Sequence, residues 1–173
     1  MPIIYVGTGT SEELLDFALE EDAPALHISC IENEPAAFAE PVRQLTELGR
    51  ADFLSCVRAQ TTLLPRGGGV VLSGQKVVCS SGILDRLNDD DIVEFFDWAF
   101  DCLVPSGILI ACQTHSDNPD RSYLEHILGW SVYHRNEEEL AALFARSRFT
   151  VEGTVLGRHV DGVLLVAVAK KPK

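Results

Sequence analysis

Short apolar runs rich in β-branched residues alternate with helical patterns along most of this chain, and no other feature limits its fold so tightly. Residues 2–6, 26–31, 53–57, 76–80 and 108–112 each read as a buried strand bounded by turn residues. Strands separated by helices make a parallel sheet, because each connection crosses a face of the sheet right-handedly. Two further runs, 149–156 and 163–169, are joined by residues 157–162, a spacing that suits an antiparallel pair at one edge. The expected fold class is α/β: five parallel strands plus an antiparallel terminal pair, in the order 3-2-1-4-5-7-6.

The stretches between strands carry helix signals. Thr10 is an N-cap candidate with Glu13 completing a capping box, and Leu14, Leu15, Ala18 and Leu19 then share a face. Residues 35–48 read as a helix with Pro35 in its first turn and Gly49 as its stop. Asn88-Asp89-Asp90-Asp91 is an acidic entry favoured by the helix dipole, and Ile92, Phe95, Phe96, Ala99 and Leu103 follow as a stripe. Pro105 and Gly107 turn the chain into the fifth strand. Residues 61–75 are irregular, and Val70-Val71-Leu72 within them has the composition of a short extra strand. Residues 121–130 suggest a short helix with Tyr123, Leu124, Ile127 and Leu128, and Asn136 with Glu139 forms another capping box. The Lys170-Lys171-Pro172-Lys173 tail reads as frayed and solvated.

A chain of 173 residues suggests a single domain, 1–173. The formal net charge of −12 argues against nucleic acid and against an anionic membrane surface as partners. No apolar run is long enough to span a membrane and the N-terminus lacks a basic-plus-apolar signal, so the expected location is the cytoplasm. Cysteines at 30, 56, 79, 102 and 112 make an odd count without a Cys-x-x-Cys pair and are expected to be reduced core thiols. The Asp89-Asp90-Asp91 triplet is explained by helix capping, and no metal is expected.

In open α/β sheets, ligands bind outside the carboxyl ends of the strands. That directs attention to Gly7, Thr8, Gly9 and Thr10, where a strand feeds a helix through glycines and a ligand can approach the backbone. A plain strand-to-helix turn has the same appearance. Glu32 ends the second strand, where an acid can accept from both hydroxyls of a ribose, and Asn33 follows it. Ala59 and Gln60 follow the third strand, and an amide that both donates and accepts suits an adenine edge. Ser80 and Ser81 precede Gly82 after the fourth strand, and small residues there leave room for a ligand.

Taken in order, these segments resemble class I S-adenosylmethionine-dependent methyltransferases. Val6-Gly7-Thr8-Gly9-Thr10 resembles their glycine-rich first motif, and Cys30-Ile31-Glu32-Asn33-Glu34-Pro35 their second, where the acid holds the ribose. Residues 77–87 are similar to their fourth strand and its loop, and residues 103–110 to the leucine, proline and glycine pattern before their fifth. Residues 118–122 and 129–140 look like the bacterial branch that methylates 3-hydroxy fatty acids. The resemblance implies a Rossmann-like sheet and S-adenosylmethionine as cofactor. It places the cofactor on Gly7, Thr8, Gly9, Thr10, Glu32, Asn33, Ala59, Gln60, Ser80 and Ser81. Three features depart from the family: Tyr5 stands where an acid is usual, Thr10-Ser11-Glu12 replaces a third glycine, and the N-terminal helices that lid the cofactor are missing. Either another chain supplies those helices, or the sequence is a fragment, or turnover has been lost.

Methyl transfer needs no protein nucleophile, and a base is needed only if the acceptor must lose a proton. His115, after the fifth strand, is the candidate base, with His134 and Tyr133 a second. Two readings follow. One is a methyltransferase acting on a small-molecule carboxylate or hydroxyl, within a homo-oligomer or a heteromer whose other chain carries the helices. The alternative is a catalytically inactive methyltransferase-like subunit that binds a protein partner. A nicotinamide-dependent dehydrogenase shares the strand-end acid but fits poorly without the third glycine or a Tyr-x-x-x-Lys.

Overall fold

The computed structural model describes residues 1–7, 12–19, 26–66, 70 and 72–173. Among them, seven strands form one sheet in the order β3-β2-β1-β4-β5-β7-β6. The strands are β1 (Pro2–Val6), β2 (His27–Glu32), β3 (Leu54–Arg58), β4 (Gln75–Ser80), β5 (Leu103–Thr114), β6 (Thr154–Arg158) and β7 (Leu164–Lys170). β3, β2, β1, β4 and β5 run parallel, whereas β7 pairs antiparallel with both β5 and β6, as the alternation predicts. β1 lies between β2 and β4, so the strand order reverses there. The register sets Val6 beside Ile31 and beside Ser80.

Two apolar layers cover the sheet. On one face, α1 (Glu12–Leu19) and α2 (Ala39–Glu47) bring Leu14, Ala18 and Leu45 onto Ile28, Cys30 and Leu54. On the other, α3 (Asp89–Cys102) and α5 (Glu137–Arg146) pack Ile92, Phe95, Phe96, Leu140 and Phe144 onto Ile4, Val78 and Leu109. The Phe96 and Phe144 rings stack 4.1 Å apart and tie α3 to α5. Such a pair adds about 0.5–1.5 kcal/mol beyond its buried area. Both expected caps on this face form: Asn88 accepts from Asp91 N–H, and Asn136 with Glu139 makes a reciprocal capping box.

Several boundaries differ from expectation. Residues 35–48 divide into a 3-10 turn, Pro35–Phe38, and α2, before Gly49 at φ +70° ends the run. The stripe of α3 closes with Cys102, and Leu103 is already strand. The expected turn at Pro105 and Gly107 lies inside β5, where its register against β4 shifts between Gln75 and Val77. Phe149 is buried but precedes β6, separated from it by a 3-10 turn at Val151–Gly153. In α1, Leu14 and Ala18 are buried while Leu19 is 48% exposed. Val71 lies outside the described residues, and Val70 and Leu72 on either side of it are not strand.

The tail is not frayed. Lys170 ends β7, and Lys171 Nζ donates to the carbonyls of Phe100 and Leu103, 2.7 Å each, at the end of α3. α4 (Arg121–His126) stops short of Trp130 and buries nothing. Tyr123, Ile127, Leu128 and Trp130 stand exposed around it. No disulfide joins any of the five cysteines among the described residues. Burial pushes Cys102 up to about 11. No helix among the described residues is long and apolar enough to cross a membrane.

Candidate functional site

The sheet's reversal point opens a cleft. β1 ends at Val6, and Gly7 N–H donates to Ile31 O at 3.2 Å, holding the turn against β2. Gly7 has φ +74°, and a Cβ placed there would sit 3.0 Å from the Ser81 carbonyl oxygen. Positive φ and this close approach both require glycine. On the β4 side, Ser81 N–H donates to Val6 O at 3.3 Å. The strand-end turns of β1, β2 and β4 therefore meet at one place.

That place is a cavity of about 420 Å³ lined by Gly7, Glu32, Asn33, Glu34, Thr61, Ser81, Gly82, Ile83 and Arg86. A second cavity of about 510 Å³ shares Asn33 and Glu34 and adds Arg58, Ala59 and Gln60. Both lie within the ordinary size range of ligand sites. Asn33 organises the junction: its N–H donates to Glu32 Oε1 at 2.8 Å, and its Oδ1 accepts from Thr61 N–H at 2.9 Å. Ala59 N–H donates to Glu32 O at 3.0 Å, so the β3 turn is also fastened to the end of β2. Burial, and after it the Glu32 charge, pushes the neighbouring Cys56 thiol up. The main chain thus orients the Glu32 carboxylate while lone pairs remain for a ligand.

Of the site residues named from sequence, Gly7, Glu32, Asn33 and Ser81 share the first cavity, and Ala59 and Gln60 line the second. Thr8, Gly9 and Thr10, with the expected cap of α1, lie outside the described residues. Ser80 is fully buried at the end of β4, and its hydroxyl has no hydrogen-bond partner among the described residues. His115 lines neither cavity. It is 3% exposed, its Nε2 lies 3.1 Å from Glu137 Oε2, and its Nδ1 accepts from Asp117 N–H at 3.0 Å. That second bond leaves the ring proton on Nε2, which donates to Glu137. Both nitrogens are thus engaged by protein.

His134 Nδ1 bonds Val132 O at 3.1 Å, and its Nε2 is buried without a partner among the described residues. Each aspartate of the triplet is tied to an arginine: Asp89 to Arg135, Asp90 to Arg146 and Asp91 to Arg66.

Sequence reasoning did not find the polar hub behind the cleft. Arg135 is 4% exposed. It donates to Leu84 O, Leu87 O, Gln113 Oε1 and Asp89 Oδ1. Asp85 accepts from Thr114 N–H and Oγ1, both at 2.8 Å, and from Gln113 Nε2 at 2.6 Å. Tyr133 N–H closes the set by donating to Asp85 O at 2.8 Å. These bonds fix the 3-10 turn Leu84–Arg86, which places Arg86 at the cavity. Nothing in the local pattern announces a buried arginine, although Asp85, Tyr133 and Arg135 fall within the segments that resemble the methyltransferases.

No protein-family model matches the chain, and no curated protein matches it. Solved structures do. A protein from Bordetella parapertussis superposes with a TM-score of 0.75 at 17% identity, over 99% of this chain and 62% of that one. The S-adenosylmethionine-dependent methyltransferase SibL, in its apo form, gives 0.72 at 15% identity over 99% and 50%. The mitomycin 7-O-methyltransferase MmcR gives 0.71 at 22% identity over 98% and 48%. The chain therefore has the Rossmann-like sheet of class I methyltransferases, and it spans about half the length of the two named methyltransferases.

Proposed function

We propose that the chain is an S-adenosylmethionine-dependent methyltransferase acting on a small-molecule carboxylate or hydroxyl. The observation that carries this reading is the convergence of Gly7, Glu32 and Ser81 on one cavity at the sheet's reversal point. The cradle fits the cofactor, since any Cβ at Gly7 would crowd the space beside Ser81 O. In this reading Glu32 accepts from the ribose hydroxyls, and the Arg58-Ala59-Gln60 turn meets the adenine. Gly7 and Ser81 would hold the methionine portion, a role the sequence pattern also gives to Thr8, Gly9 and Thr10. S-adenosylmethionine, when bound, supplies a methyl group already activated on a sulfonium. The residues of the chain would hold cofactor and acceptor in fixed mutual orientation, and orientation of this kind supplies much of a rate enhancement.

The engagement of both His115 nitrogens by protein favours a carboxylate acceptor, which attacks without losing a proton. A partner belongs to the reading, either a second copy or a chain that contributes covering helices. What supports it is the exposed apolar surface of Tyr123, Ile127, Leu128 and Trp130. The test is calorimetric titration with S-adenosylmethionine, of the chain alone and with candidate partners. Saturable binding is expected, and its absence at millimolar cofactor in every combination would overturn the reading.

A further inference from the structure

In so acidic a chain, arginines are expected to be spoken for. Of ten arginines, eight give their guanidinium to a carboxylate or a carbonyl oxygen. Only Arg58 and Arg86 have no such partner among the described residues, and both line the paired cavities. Arg86 also sits on a firmly held turn. Arg135 binds Leu84 O at 3.3 Å and Leu87 O at 2.9 Å, on either side of it. The side chain of Asp85, next to Arg86, is anchored to Thr114 and Gln113. A hydrogen-bonded network thus presents one guanidinium that binds nothing among the described residues. Glu32 and Arg86 lie in the same cavity, so a ligand whose hydroxyls meet the carboxylate has a cation within that cavity too. A planar fork of five N–H donors matches a carboxylate in two parallel bonds.

Resting on the proposed cofactor reading, we propose that Arg86 is a carboxylate clamp at the β4 end of the cleft. Two carboxylates can reach such a site: that of the cofactor's methionine portion and that of the acceptor. Arg86 is exposed on a short turn, so Arg86→Gln is expected to fold as the parent does, with circular dichroism as the check.

The experiment titrates parent and Arg86→Gln with S-adenosylhomocysteine and with 5′-methylthioadenosine, which lacks the amino-acid portion. A second titration adds hexanoate, with hexan-1-ol as its uncharged match, to protein saturated with S-adenosylhomocysteine. If the variant loses affinity for S-adenosylhomocysteine by roughly ten- to a hundred-fold, the loss of a charge-assisted bond, while 5′-methylthioadenosine is unaffected, the clamp holds the cofactor's carboxylate. If S-adenosylhomocysteine binds the variant normally, but hexanoate binds the parent over hexan-1-ol and is lost in the variant, the clamp holds the acceptor's. A variant that equals the parent in both titrations overturns the clamp and leaves the cofactor reading standing. A parent that takes up neither adenosyl compound refutes the cofactor reading, and the clamp falls with it.

Discussion

The carboxyl ends of β2 and β5 are built in opposite ways. At the end of β2, Glu32 and Asn33 take bonds from main-chain N–H groups and keep spare acceptors facing an open cavity. At the end of β5, Gln113, Thr114 and His115 are all buried and spend their hydrogen bonds on Asp85, Arg135 and Glu137. Spare capacity marks a place for a ligand, whereas saturated capacity marks scaffolding. His115 has the position of a base and the bonding of a strut.

If that division holds, the largest effect on stability belongs to the hub. Arg135→Met should cost about 3–5 kcal/mol, because it strips a donor from each of the Leu84 and Leu87 carbonyls and from the buried Gln113 Oε1. Urea denaturation measures this, and a loss below about 1 kcal/mol, the level of an exposed pair, would mean that the hub is not structural. Gly7→Val comes next and strikes the other region. A side chain at φ +74° and 3.0 Å from Ser81 O costs about 1–3 kcal/mol of backbone strain and should abolish cofactor binding. Binding retained at parental affinity would show that the cofactor does not pass over Gly7.

The smallest effect is a pH dependence. The Glu137 carboxyl is held below its ordinary value of 4.5, first by its own backbone N–H and then by His115. A depressed carboxylate contributes stability that is present above the ordinary value and is lost as pH falls through the folded one. The parent should therefore lose more melting temperature than Glu137→Gln between pH 6 and pH 3, a window bracketing that ordinary value. Equal losses would detach Glu137 from the His115 strut.

The sheet order was legible because alternation and a terminal hairpin constrain topology without any side-chain detail. Boundaries were less so. Leu103 continues the apolar stripe of α3, yet Gln75 pairs with it as strand, a tertiary preference that periodicity does not carry. The cavity's strand-end acid and glycine were legible, since Glu32 and Gly7 follow apolar runs. Arg86 and Arg135 were not, because an arginine in a polar loop reads as solvated wherever it points. α4 misled in the other direction: Tyr123, Ile127 and Leu128 have a core-facing spacing but no core to face.

Calorimetry on Glu32→Ala against the parent, titrated with S-adenosylhomocysteine, asks whether the cleft grips an adenosyl ribose through Glu32 as proposed. The side chain is only half-buried and its partner is the adjacent main chain, so circular dichroism should be unchanged. The expected affinity loss is roughly ten- to a hundred-fold, the equivalent of a charge-assisted hydrogen bond of about 1.5–3 kcal/mol. A Glu32→Ala variant that binds as tightly as the parent would contradict it.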